Sequence, residues 1–211
     1  GNVTRAPATG AYHFEIVEYF LWDFEPDDGG FAQTGSVWEW GSPTTGPGAA
    51  HSGVNLWATK LATTYPASSN GKLDSPAITL AASKPYAILT FWHWYEMENL
   101  YDGGNVKVSA DGGATWNLVT PVGGYDGTAK TTNKGIPGEL CFTGTANMFW
   151  QEEMFDLSAY AGQSIMIRFH FGSDGSVQKS GWYIDDVMLR STDTDDYPPT
   201  ISGTTVPGST F

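Results

Sequence analysis

Cysteine is almost absent. Cys141 stands alone in 211 residues, which excludes an intramolecular disulfide and leaves the thiol as a small apolar filler rather than a nucleophile. Basic residues are scarce as well: 10 Lys and Arg stand against 23 Asp and Glu, a formal net charge of −13. That balance excludes a nucleic-acid surface, which needs a basic patch to neutralise phosphates, and it disfavours anionic membrane surfaces. No run approaches the roughly 20 apolar residues of a membrane-spanning helix. No signal peptide is visible, although a start at Gly1 rather than Met fits a processed extracellular form, secreted or held at a cell surface. Catalytic signatures are missing too. There is no H-E-x-x-H, no G-x-S-x-G and no phosphate-binding loop. His13, His51, His93 and His170 are scattered without metal spacing. The chain is therefore expected to be non-catalytic.

What the chain does have is strand chemistry. Hydrophobic residues make up 40% and aromatics 14%, while 26 Gly and 12 Pro punctuate them, a pattern of short strands and turns. Tyr86–Glu98 is the longest apolar stretch and reads as a central strand. In Ser164–Phe171, Ile165, Ile167, Phe169 and Phe171 point one way and Arg168 and His170 the other. Further short strands are expected at Trp38–Gly41, Asn55–Thr59, Ala77–Leu80, Asn105–Ala110, Trp116–Thr120 and Leu140–Phe142, with a helical turn over 157–162. Residues 62–75 read as loop. Strands without βα alternation predict an all-β, two-sheet antiparallel jelly-roll sandwich with extended terminal arms. The division is 1–21 as an N-terminal arm, 22–192 as the sandwich and 193–211 as a tail or linker.

Gly181–Leu189 sets an acidic pair, Asp185 and Asp186, into an apolar strand. At period two, Tyr183, Asp185, Val187 and Leu189 share one face and Trp182, Ile184, Asp186 and Met188 the other. A buried carboxylate needs a partner. Nearby in sequence only Lys179 and Arg190 are cationic, and Arg168 is the sole well-placed strand arginine, so a metal ion is a candidate counter-charge. Glu96, Glu98 and Asp102 form a second candidate metal group, and against that stands the favoured reading of a solvated strand end. Ser109–Trp116 has the S-x-D-x-G-x-T-W form of an Asp box, a hairpin turn capped by the aspartate.

Several segments together resemble MAM-like jelly-roll domains of immune-inhibitor-A-type secreted bacterial peptidases and other surface proteins. They are Asp23-Phe24-Glu25, Trp38–Gly41, His51–Thr59, Tyr101–Val106, the Asp-box hairpin, Asp156–Gly162 and Gly181–Val187. The resemblance covers about residues 22–190. It implies that the first and last core strands lie side by side, with a calcium ion near that pairing. The implied ligands are Glu25 and Asp185 or Asp186, with Asp27, His51 or Asn55 nearby. His51 would contribute a backbone carbonyl, since imidazole is a poor ligand for a hard cation. Related eukaryotic domains carry disulfides, which this chain cannot form.

Polar, Pro/Gly-rich ends stay loose unless something ties them down. The expected function is a calcium-stabilised structural or adhesive protein that assembles with its own copies through its terminal arms into a surface polymer or filament. The competing expectation is a carbohydrate- or protein-binding accessory module of a larger secreted enzyme, its partner a glycan or a surface protein. Nine Trp and ten Tyr suit such a platform, and equally suit a core.

Overall fold

The computed structural model describes residues 18–145 and 149–193. Strands account for nearly all of the regular structure. In chain order they are β1 (Glu18–Trp22), β2 (Ala32–Thr34), β3 (Glu39–Gly41), β4 (Leu56–Ala58), β5 (Asn70–Asp74), β6 (Ile78–Thr79) and β7 (Tyr86–Glu96). There follow β8 (Gly103–Ser109), β9 (Asn117–Leu118), β10 (Gly127–Thr128), β11 (Leu140–Cys141), β12 (Gln151–Asp156), β13 (Ser164–Gly172) and β14 (Gly181–Thr192). Among the described residues a single 3-10 turn, Ser158–Tyr160, precedes β13.

One antiparallel sheet runs β12-β7-β14-β4-β3, with β1 also on β14. The other runs β2-β5-β13-β8-β9, with β6 also on β13. Their inner faces make the core. Phe91, Phe155, Trp182, Ile184 and Leu189 come from the first sheet and Leu73, Val106, Ile167, Phe169 and Phe171 from the second. The fold is the expected all-β sandwich, and β1 and β14 do lie side by side, Trp22 opposite Val187. Glu18–Leu21, assigned by sequence to an arm, belong to β1. The remaining arm residues, 1–17 and 194–211, lie outside the described residues, and so does the expectation that they drive assembly.

β2, β5, β10 and β12 escaped the sequence pattern, and the two longest of them show why. β5 carries a single large apolar side chain, Leu73, and forms because it pairs with β13 from Asp74 opposite Arg168 to Asn70 opposite Gly172. β12 pairs with β7 along its length and buries only Phe155, so its alternation is faint.

The acidic stretch behaves differently from the simple alternation. The register between β14 and β7 shifts between Asp185 and Met188, a β-bulge. Asp186 sits there at φ 46, in the left-handed region. The bulge resets the phase of the strand. Trp182 and Ile184 face the core before it, and Val187 and Leu189 face the core after it. The expectation that Val187 and Leu189 share a face with Asp185 is thus corrected, and so is the expectation that the two carboxylates point to opposite faces. The bulge has a topological cause. On its other side β14 pairs with β4 at Tyr183 and Ile184, then with β1 from Val187 onward. Residues 185 and 186 lie where the neighbouring strand changes, so the ladder there is open.

Candidate functional site

The gap between the end of β1 and the start of β4 is closed by side chains. Asp185, 0% exposed, accepts the backbone N–H of His51 at 2.9 Å and of Ser52 at 3.2 Å on Oδ2. Its Oδ1 accepts the N–H of Asp186 at 2.8 Å. Asp186 takes His51 Nδ1 on Oδ2 at 2.6 Å and the Ser52 hydroxyl on Oδ1 at 2.8 Å. Glu25, three residues past β1, accepts the N–H groups of Val54 and Asn55 on Oε1, at 2.7 and 2.8 Å. Three carboxyl groups thus replace the missing ladder with hydrogen bonds, each worth roughly 1 kcal/mol.

The loop that supplies these donors is held over the outer face of the first sheet. Beneath it Leu56, Ala58, Trp94 and Tyr183 form a small apolar cluster, with Ala50, Leu61 and Trp150 against it. The Thr45 hydroxyl meets the Tyr183 phenol at 3.1 Å. At Gly53 the backbone is left-handed, φ +55, and a Cβ there would run into the Glu25 carboxyl group. The His51 ring stacks on Trp92, centroids 3.9 Å apart and 11° between planes, and meets Trp150 edge-on at 5.7 Å. Phe149, beside Trp150, is 73% exposed.

Burial dominates the electrostatics of Asp185. Desolvation, with a smaller push from the Asp186 charge, lifts its carboxyl to about 7 against the opposing pull of the three amides. The arrangement resembles a Ser–His–Asp set only in composition. Ser52 and His51 both bond to Asp186 rather than to each other, so the serine–histidine–carboxylate order of a triad is not reproduced.

Of the residues expected to hold calcium, Glu25, His51, Asn55, Asp185 and Asp186 come together here. Asp27 does not join them; its Oδ1 caps the turn at the Gly29 N–H, 2.9 Å away. The donor set is spent differently from an ion site. Both oxygens of Asp185 and of Asp186, and Oε1 of Glu25, lie on N–H and O–H donors, and the Asn55 side-chain nitrogen donates to the Glu25 carbonyl at 3.5 Å. As placed, these residues do not fit an ion. Arg168, a candidate partner for one of the aspartates, is on the other sheet. It forms a two-pronged bond with Asp74 at 2.6 and 2.7 Å and lies 3.8 Å over the Trp116 ring.

The Asp box is the turn the sequence predicts. Asp111 accepts the Thr115 N–H and hydroxyl at 2.9 and 2.6 Å, and these bonds hold its carboxyl down at about 2. His93 is a core histidine whose Nδ1 accepts the Trp182 indole N–H at 3.2 Å. Glu96 accepts the Ser180 hydroxyl at 2.7 Å. Asp102 departs from the solvated strand end expected of it, being 0% exposed. Sequence reasoning missed Val54, which acts through a backbone N–H that every residue but proline possesses, and Ser52, which adds its hydroxyl to such an N–H; it also missed Trp92 and Trp150 as supports of His51.

The family model described as "Immune inhibitor A-like, MAM domain" matches residues 69–195, more than half of the chain. Bacillopeptidase F of Bacillus subtilis (strain 168) is 38% identical over 169 residues, which cover 79% of this chain and 10% of that protein. The pre-pro-metalloprotease PrtV of Vibrio cholerae (serotype O1, strain M66-2) is 28% identical over 119 residues, covering 56% of this chain and 12% of that protein. The chain therefore spans about a tenth of the length of these curated relatives. Among solved structures, the K3 cleaved adhesin domain of Lys-gingipain from Porphyromonas gingivalis superposes with a TM-score of 0.48 and 18% identity, over 82% of this chain and 98% of that one.

Proposed function

The chain belongs to the immune inhibitor A-like MAM domain family, and from that membership we propose that it is a non-catalytic accessory module of a larger exported peptidase. The observation that carries this is the match to Bacillopeptidase F: most of this chain aligns with a tenth of that protein, leaving the remainder for other domains. One feature of the site supports it. Ser52 and His51 share a carboxylate instead of forming a nucleophile–base pair. The "pre-pro" in the name of the Vibrio cholerae relative marks a precursor and supports an extracellular setting. Incubation of the purified chain with casein and with a mixed peptide library tests the proposal: no hydrolysis above buffer is expected. Hydrolysis that copurifies with the chain and disappears in S52A or H51A overturns it.

A second reading, that the module holds a glycan, is favoured by one observation. Trp92 and Trp150 both pack on His51 beside the acidic gap, Phe149, next to Trp150 in sequence, is exposed, and sugar rings stack on aromatic faces. Binding on a glycan array that is lost in W150A supports this reading; no binding to any glycan removes it.

A further inference from the structure

The core between the two sheets holds a titratable side chain that the acidic gap does not use. His93 of β7 is 0% exposed. Rings enclose it, with centroids at 4.6 Å for Phe142, 5.0 Å for Tyr95, 5.4 Å for Phe91 and 6.4 Å for Trp182.

Two groups compete for its ring. An indole N–H can only donate. The 3.2 Å bond from Trp182 Nε1 therefore makes Nδ1 an acceptor, and a neutral imidazole that accepts on Nδ1 carries its proton on Nε2. Nε2 is closed off from solvent and has no hydrogen-bond partner among the described residues. Glu153 Oε1 of β12 stands 3.5 Å from it, too far for a hydrogen bond but close enough for charge attraction. Trp182 and Glu153 thus ask for opposite states. Trp182 needs the neutral ring, because a proton on Nδ1 would set N–H against N–H. Glu153 favours the imidazolium. Burial prevails and holds the ring below its ordinary value, while Glu153 and Asp126 pull the other way. The groups that bear on it are Glu153 from β12, Asp126 from the connection between β9 and β10, and Tyr95 from β7 itself, whose hydroxyl donates to Asp126 at 2.8 Å.

Trp182 carries any change at this bond to the second sheet. It is fully buried, its ring lies 5.8 Å from Phe169 of β13 and 5.7 Å from Trp38, and a Cβ on Gly104 of β8 would run into it.

We propose that His93 is an acid-operated switch in the core: neutral, it holds the Trp182 indole; protonated, it gives up that bond and pairs with Glu153, drawing β12 inward and loosening Trp182 from the second sheet. The switch acts on the acid side of the ordinary histidine value of about 6.5. The unfolded chain takes the proton near that value and the folded chain only below it. Stability from this group is therefore fully present above about pH 6.5 and is lost as pH falls toward the folded value.

Nitrogen NMR of the full chain with labelled histidine, read together with the Trp182 indole N–H, tests this between about pH 7.5 and about pH 4. The variants are E153Q, at a partly exposed side chain, and H93N, which keeps an acceptor for the indole and cannot take the proton. At neutral pH His93 should show a bare Nδ1 and a proton on Nε2. On acidification both nitrogens should become protonated, and the indole N–H should move with them. In E153Q the titration should fall by about one pH unit or more, the effect of losing an opposite charge at that distance. In urea unfolding, H93N should lose less stability than wild type between about pH 7 and about pH 5. A proton on Nδ1 at neutral pH overturns the proposal. So does an indole N–H that ignores the titration, a titration unmoved or raised in E153Q, unfolding before the ring titrates, or an equal pH dependence in H93N and wild type.

Discussion

Replacing Asp185 by Asn should change stability by an amount that depends on pH. The folded carboxyl is lifted from its ordinary 3.8 to about 7, whereas the unfolded chain returns it to the ordinary value. Between those values the folded state holds one proton more than the unfolded state. Stability from this group is therefore fully present below the unfolded value and is lost as pH rises through the folded one. Each pH unit crossed between the two values removes about 1.36 kcal/mol, so going from about pH 5 to about pH 8 crosses some two effective units and should remove on the order of 2–3 kcal/mol. Asn cannot titrate. It also cannot offer two acceptor oxygens to His51, Ser52 and Asp186, but that loss is the same at every pH. His170, buried and held down at about 3, titrates alike in both proteins and cancels. The assay is urea unfolding of wild type and D185N at both pH values. The cost of the substitution should be larger at the acidic pH by the amount above. A cost independent of pH, or larger at the alkaline pH, would show that the three amides outweigh desolvation and would refute the reasoning.

Two further outcomes follow from the packing. Gly53→Ala places a Cβ against the Glu25 carboxyl at φ +55 and should cost roughly 1–3 kcal/mol in urea unfolding; a loss within the error of the assay contradicts the closeness of that contact. Cys141 is buried and its thiol is pushed up to about 12, chiefly by burial. An aromatic disulfide reagent should therefore label it only as the chain unfolds, and rapid labelling of the native protein would contradict its placement.

The fold was legible where alternation is strong. Ile165, Ile167, Phe169 and Phe171 declare β13, and the Asp111-Gly112-Gly113 turn declares the hairpin of β8 and β9. β5 was not legible, because a strand with one large apolar side chain forms only in the presence of its partner. The acidic pair shows the deeper limit. Period two assumes an unbroken strand, and nothing local announces that β14 changes partners from β4 to β1 at residues 185 and 186. The usable hint is the residue type: aspartate tolerates the left-handed conformation better than most side chains. The resemblance brought Glu25, His51 and Asn55 to the right place but suggested an ion between the carboxylates, where the structure places amides, a hydroxyl and an imidazole. Asp174 donates its N–H to the Asp102 carboxylate at 2.7 Å and was illegible as its partner, since only the pairing of β13 with β8 carries the two segments together.

The carboxylates of the bulge are held by the loop carrying His51 and Ser52, with no need of an ion between them. A double-mutant cycle on His51 and Asp186, measured by urea unfolding in calcium and again in chelator, tests this most directly. Both side chains are partly exposed, so the coupling should be about 1 kcal/mol, and it should be the same in both buffers. A coupling that vanishes in chelator, or one that is absent in both, would contradict it.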